Sequence, residues 1–237
     1  MTQPPAVTPT ASPPTTPPTP PPPLNQYKTG HYGSHNIHCW VPTQPITSVV
    51  VYLPSTYCET LDGALIQNSS FNWTLPSGGE LVVEPIVTEH SNKPFKVPPP
   101  EWIVEWLCSL QADMYAVPFY LIGCSRGAAW GMKLMETSLT FRRAMLIAPY
   151  YQGSWIDSTD HVQRRMAQRL QRDPTSIKII YGSADCWQPP ASLLSLVRNM
   201  GSADSVIELT GSDHYATVVS MATFWHGVVV MSGAILY

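Results

Sequence analysis

From about residue 46 onward the chain alternates between short apolar runs and amphipathic stretches, and this limits its fold more than any other feature. The apolar runs are residues 46–53 (ITSVVVYL), 80–87 (ELVVEPIV), 118–123 (PFYLIG), 144–148 (AMLIA), 177–181 (IKIIY) and 205–209 (SVIEL). Most are rich in β-branched residues and unbroken by polar positions, the signature of parallel strands buried on both faces. Helices are expected between them over residues 101–111, 126–137, 160–172 and 191–200, with a last one over 215–231. In the first, Trp102, Ile103, Trp106, Leu107 and Leu110 recur at helical spacing and predict one buried stripe. Strand–helix alternation with short connections predicts an α/β fold, a mostly parallel central sheet with helices on both faces. Residues 26–45 do not share the pattern and are read as one or two leading antiparallel strands.

The expected strand ending at Gly123 runs into Gly123-Cys124-Ser125-Arg126-Gly127, a G-x-S-x-G motif, and then into a helix-forming stretch. Three fixed positions recur by accident in roughly one chain of this length in ten, so the motif alone decides little. Its setting decides more, because strand, sharp turn and helix are the context that presents a serine hydroxyl at the edge of a sheet. Glycines at Gly123 and Gly127 fit a turn with no room for side chains beside the serine. The hydroxyl also lies near the positive end of the expected helix.

A serine hydroxyl needs a base to take its proton at neutral pH. Past the last apolar run, SVIELTGSDHYAT places His214 in a turn with Gly211, Ser212 and Asp213. Past the run before it, IKIIYGSADCWQP places Asp185 where it would hold the imidazole tautomer. Each of Ser125, Asp185 and His214 follows the carboxyl end of an expected strand, where open α/β sheets build their sites. Asp157, in the loop after AMLIAPYY, is the rival acid. Asp213 is read as solvated and His226 as a packed histidine. Cys124 is read as a buried structural thiol. His31, His35 and His38 lie in a poor helix former with no carboxylate among them, so no metal site is expected.

Over residues 46–231 these features resemble a small, lidless α/β-hydrolase, similar to the carboxylesterase, acyl-protein thioesterase and dienelactone hydrolase group. The acid turn of those families reads G-x-x-D-x-x-x-P, matched by Gly182, Asp185 and Pro189, and their histidine turn G-x-x-H, matched by Gly211 and His214. The resemblance implies an α/β-hydrolase fold without a large cap domain, since residues 149–176 are too few for one. It also implies an oxyanion hole of two backbone N–H groups. Arg126 supplies one, directly after the serine. The other departs from the family pattern: His-Gly is replaced by Pro54-Ser55, which leaves Thr56 as the donor. Loss of that glycine puts this half-site in question.

Composition narrows the class further. Thirteen basic and sixteen acidic residues give a formal net charge of −3, with no basic stripe for nucleic acid. Five cysteines, widely spaced and without a C-x-x-C pair, speak against a disulfide framework or structural zinc. No secretory signal or transit peptide is visible at the Met1 end, so Asn68 and Asn72 in N-x-[ST] triplets are read as coincidence and the expected location is cytoplasmic. Residues 1–23 hold eleven of the twenty-five prolines and predict an extended tail over 1–25 ahead of one domain over 26–237. SH3 or WW domains are its candidate partners, a solvated tail its simpler reading. Residues 216–237 lack Asp, Glu, Lys and Arg, but they begin two residues after His214 and are read as a packed helix, not a membrane span.

The leading expectation is a serine hydrolase acting on carboxylic esters or thioesters, small-molecule or acyl-chain, with no cofactor. A serine peptidase or acyltransferase on the same fold, or a catalytically silent binding module, are the alternatives.

Overall fold

The computed structural model describes residues 26–54, 80–85, 99–150 and 159–217. Among them, eight strands and four helices follow one another as β1 (Gln26–Tyr32), β2 (His35–Val41), β3 (Ser48–Leu53), β4 (Glu80–Pro85), α1 (Glu101–Asp113), β5 (Phe119–Cys124), α2 (Arg126–Leu134), β6 (Arg143–Ile147), α3 (Thr159–Arg172), β7 (Ile177–Gly182), α4 (Ala191–Met200) and β8 (Val206–Leu209). The strands form one sheet in the order β1-β2-β4-β3-β5-β6-β7-β8. Strand β2 runs antiparallel to both neighbours, and β3 to β8 are parallel. The ambiguous leading region thus supplies two strands, a hairpin that turns at Gly33 with φ 57°.

The apolar runs behave as buried parallel strands. Every residue of β3 and β5 is buried. Alternate side chains divide between the two faces. Val49, Val51, Leu53, Leu121, Ala144, Leu146, Ile177 and Ile179 join one cluster with the apolar stripes of all four helices. In α1 that stripe is Ile103, Trp106 and Leu107, three of the five residues that the spacing singled out, with Trp102 and Leu110 partly buried at its margin. Helix α2 presses closest: a Cβ on Gly131 would stand 3.0 Å from a methyl of Leu121. Val50, Tyr120, Ile122, Met145, Ile147 and Ile180, which alternate with the first set, are buried as well. Each fully buried Leu or Ile contributes about 1.5–3 kcal/mol, so burial of both sets of strand residues anchors the domain.

Element ends shift by one to three residues from expectation. Helix α2 stops at Leu134 and not at residue 137, because the N–H groups of Glu136 and Thr137 bond the carbonyls of Lys133 and Leu134, three residues back. The Thr137 hydroxyl also donates to the Leu134 carbonyl at 2.6 Å, which closes the last turn. The expected final helix begins as predicted, with residues 214–217 helical, and the rest of it lies outside the described residues. The proline-rich tail lies outside them too. Among the described residues no helix is long and apolar enough to cross a membrane.

The order β4-β3-β5 contains a reversal. From β3 the chain steps outward to β4, returns through α1, and adds β5 on the other side of β3. The carboxyl ends of β3 and β5 therefore flank the point in the sheet where connections leave in opposite directions, the usual place for a binding crevice. Ser125 follows β5 there, next to Leu53 and Pro54 at the end of β3.

Candidate active site

The turn after β5 is sharp enough to strain its central residue. Ser125 has φ 53° and ψ −112°, one of two non-glycine residues with positive φ among the described residues. Such a conformation costs on the order of 1–3 kcal/mol and persists only where surrounding contacts over-determine it. Here they do. The Ser125 N–H donates to the Ile147 carbonyl at 2.8 Å, and the Ser125 carbonyl accepts from the N–H groups of Ala129 and Tyr150. Gly127 is required by a close approach, since a Cβ there would stand 2.0 Å from the Leu53 carbonyl oxygen. The turn thus fastens the start of α2 to β3 and β6 at once and holds the serine at the carboxyl edge.

The two other predicted residues arrive on turns that are bonded to each other. The acid turn follows β7, and the histidine turn follows β8, its parallel neighbour. Their link is a set of hydrogen bonds: Ser183 N–H to the Leu209 carbonyl, Ala184 N–H to the Ser212 carbonyl, and Gly211 N–H to the Ser183 hydroxyl at 2.7 Å. Gly182 has no room for a side chain, because a Cβ would meet the Ser212 oxygen at 2.1 Å. Asp213, expected to be solvated, accepts the Ala216 N–H at 2.6 Å and caps the helical turn that starts at His214.

This framework brings Ser125, His214 and Asp185 into one hydrogen-bonded line. Ser125 Oγ lies 2.8 Å from His214 Nε2, and His214 Nδ1 lies 2.7 Å from Asp185 Oδ2. The side chain of Asp185 is 1% exposed and that of His214 13% exposed, so the pair works at low dielectric where such bonds strengthen. The second carboxylate oxygen of Asp185 accepts the Trp187 N–H at 2.8 Å. A buried carboxylate paired on both oxygens is compensated for its lost hydration. The rival acid, Asp157, lies outside the described residues.

The oxyanion candidates divide in the same way. Arg126 is the first residue of α2, so its backbone N–H lies at the start of that helix, directly after the serine. Its guanidinium lies over the Trp130 ring, 4.5 Å from the centroid, and so is turned along the helix. Thr56 lies outside the described residues, two positions after the buried Pro54.

Two aromatic residues that sequence reasoning passed over also meet the imidazole. Trp187 stands 4.7 Å from the His214 ring centroid at an interplanar angle of 86°, and Tyr150 stands 6.4 Å away at 81°. Trp187 and Tyr150 are 5.1 Å from each other. The only hint in the sequence was an indole two residues after the acid. Two of the three histidines weighed as metal ligands are engaged elsewhere: His35 stacks on Trp102 at 4.1 Å, and His38 Nδ1 lies 3.3 Å from the buried Glu84.

Comparison with known proteins agrees with this topology. No family model and no curated protein matches the chain. Solved structures do. An alpha-beta serine hydrolase homologue from Coxiella burnetii superposes with a TM-score of 0.55 at 13% identity, covering 89% of this chain and 98% of that one. The S-formylglutathione hydrolase of Agrobacterium tumefaciens gives 0.52 at 15% identity over 86% and 92% of the two chains. Carboxyl esterase 2 of the mycorrhizal fungus Tuber melanosporum gives 0.52 at 14% identity over 89% and 84%. The chain has the α/β-hydrolase fold, as the sequence motifs implied. Between β6 and β7, the described residues hold α3 and no cap domain.

Proposed function

We infer that the protein is a serine hydrolase that cleaves carboxylic esters or thioesters through an acyl-enzyme on Ser125. The observation that carries this reading is the line from Ser125 Oγ through His214 to Asp185, at 2.8 and 2.7 Å, on a serine held at positive φ at the switch point of the sheet. A packing role for these residues would not require a strained serine or a buried carboxylate aimed at an imidazole.

In this reading His214 Nε2 takes the Ser125 proton as Oγ attacks the acyl carbon. The carbonyl π electrons move onto the oxygen, which the N–H groups of Arg126 and Thr56 receive. Asp185 stays ionised and stabilises the imidazolium. Collapse of the tetrahedral state expels the alcohol or thiol, which takes the proton from His214. Water then adds to the acyl-enzyme, giving its proton to His214, and the second collapse frees the acid and restores Ser125. Each oxyanion donor contributes about 2.7–4 kcal/mol to the barrier reduction. The fold relatives named as an esterase and an S-formylglutathione hydrolase support ester and thioester chemistry as the class to examine first.

Stopped-flow hydrolysis of activated esters and thioesters tests the proposal. An initial burst of leaving group equal to the enzyme concentration is expected, followed by a slower steady rate. Hydrolysis without a burst, and unchanged in Ser125→Ala, would remove the acyl-enzyme from the account.

A further inference from the structure

The two hydrogen bonds on the His214 ring leave one of its motions undefined. Hydrogen bonds to ring nitrogens act in the plane of the imidazole, so those to Asp185 and Ser125 resist motion within that plane more than motion out of it. Displacement of the ring along its normal carries Nε2 out of line with the atom it must serve, and packing against the ring resists it. Among the described residues the aromatic contacts to the ring come from Trp187 and Tyr150. Trp187 is the nearer, at 4.7 Å and almost perpendicular, an arrangement favoured between aromatic rings. Tyr150 is buried and supports the indole from 5.1 Å. The backbone of the same Trp187 donates to Asp185 Oδ1. One residue therefore orients the carboxylate through its main chain and the imidazole through its side chain.

We propose that Trp187 is a positioning residue for His214, setting the plane of the imidazole so that Nε2 stays directed at Ser125 and then at the leaving group. The inference rests on the function assigned to Ser125 and His214 above. It separates the two parts of Trp187. The main-chain bond to Asp185 survives any substitution except proline, whereas the ring contact survives only in an aromatic residue. The effect should fall on kcat and not on KM, because the indole acts on the proton-transfer geometry and not on substrate binding.

The test compares Trp187→Phe with Trp187→Leu in the full chain, after thermal melts confirm that both fold. Misplacing a reacting group by about an ångström costs up to about 10²-fold, so Trp187→Leu should lower kcat by roughly 10- to 100-fold with KM held within about twofold. Trp187→Phe, which keeps a perpendicular ring, should retain kcat within about threefold of the wild type. Fluorophosphonate labelling rates should follow the same order. The downfield proton resonance of the His214 Nδ1–H bond should persist in Trp187→Phe and broaden in Trp187→Leu. If the leucine variant does not fold, Trp187→Met takes its place with the same expectation. Equal kcat and labelling in the leucine and wild-type chains would overturn the positioning role while leaving the function of Ser125 intact. A rise in KM with kcat unchanged would also overturn it, making the indole a wall for substrate. A wild-type chain inert to the probe would overturn the functional assignment, and this inference with it.

Discussion

The Leu53 carbonyl oxygen lies 2.0 Å from where a Cβ on Gly127 would be placed, so the end of β3 and the start of α2 touch backbone to backbone. The contact fixes the start of α2, two residues after the strained serine, against Leu53 and Pro54. Neither partner is the yielding tip of a side chain. Gly127→Ala should therefore cost about 3 kcal/mol or more in urea denaturation, at the upper end of overpacking penalties, and should abolish labelling of Ser125 in whatever fraction still folds. An alanine variant with wild-type stability would show that the two segments lie farther apart.

The strain at Ser125 predicts a difference between two inactive variants. Ser125→Ala and Ser125→Gly both remove the hydroxyl, but only glycine adopts φ 53°, ψ −112° without a Cβ penalty. Strain of about 1–3 kcal/mol offset by about 0.4–1 kcal/mol of unfolded-state entropy leaves the glycine variant more stable by roughly 1 kcal/mol. Paired thermal melts measure this. Alanine equal to or more stable than glycine would mean that the turn is relaxed.

For the acid, Asp185→Asn keeps the shape of the side chain but offers His214 Nδ1 an amide in place of a carboxylate. Turnover should fall on the order of 10³–10⁴-fold with melting temperature little changed. Asp157→Asn should be nearly silent. The reverse outcome would move the acid to the loop after β6.

Stability should also respond to pH through two surface carboxylates away from the site. The hydrogen bond from Lys178, joined by one from Ser202, holds the Asp204 carboxyl below the usual carboxylate range. The Thr175 hydroxyl does the same for Asp173, with Arg143 and Arg142 adding to it. A carboxylate whose pKa is lower in the folded than in the unfolded chain stabilises the fold above its unfolded value. That contribution disappears as pH falls through the folded value. Melting temperature should thus drop on acidification through and below the carboxylate range, with a shallower slope in the double variant Asp173→Asn, Asp204→Asn. Added salt should shrink the difference, since both groups lie at the surface. Identical slopes would leave these two interactions without a role in acid stability.

What could be read in advance, and what could not, divides along physical lines. Buried parallel strands carry continuous apolar runs, so β3 to β8 were legible to within two residues at the ends the structure describes. The hairpin of β1 and β2 was legible only as one or two leading antiparallel strands without bounds, because its polar and histidine-rich strands are at or near the sheet edge, where no apolar run is needed. The convergence of Ser125, His214 and Asp185 was legible because each is tied to a turn with its own glycine spacing. Trp187 and Tyr150 lack such spacing. Their contact with His214 arises only when the turns after β6, β7 and β8 are folded side by side. Asp213 is exposed, as read, but its capping bond was not foreseen, since that depends on where the final helix starts.

The central claim is that Ser125 is a nucleophile activated through His214 and Asp185, and covalent labelling tests it most directly. The full-length chain treated with a fluorophosphonate, digested and sequenced by mass spectrometry should carry one phosphonyl group on the peptide containing Gly123-Cys124-Ser125-Arg126-Gly127, located on Ser125. His214→Ala should slow that labelling by orders of magnitude, and Ser125→Ala should eliminate it. A folded wild-type chain that takes up no probe, or that carries it equally well after Ser125→Ala, would contradict the claim.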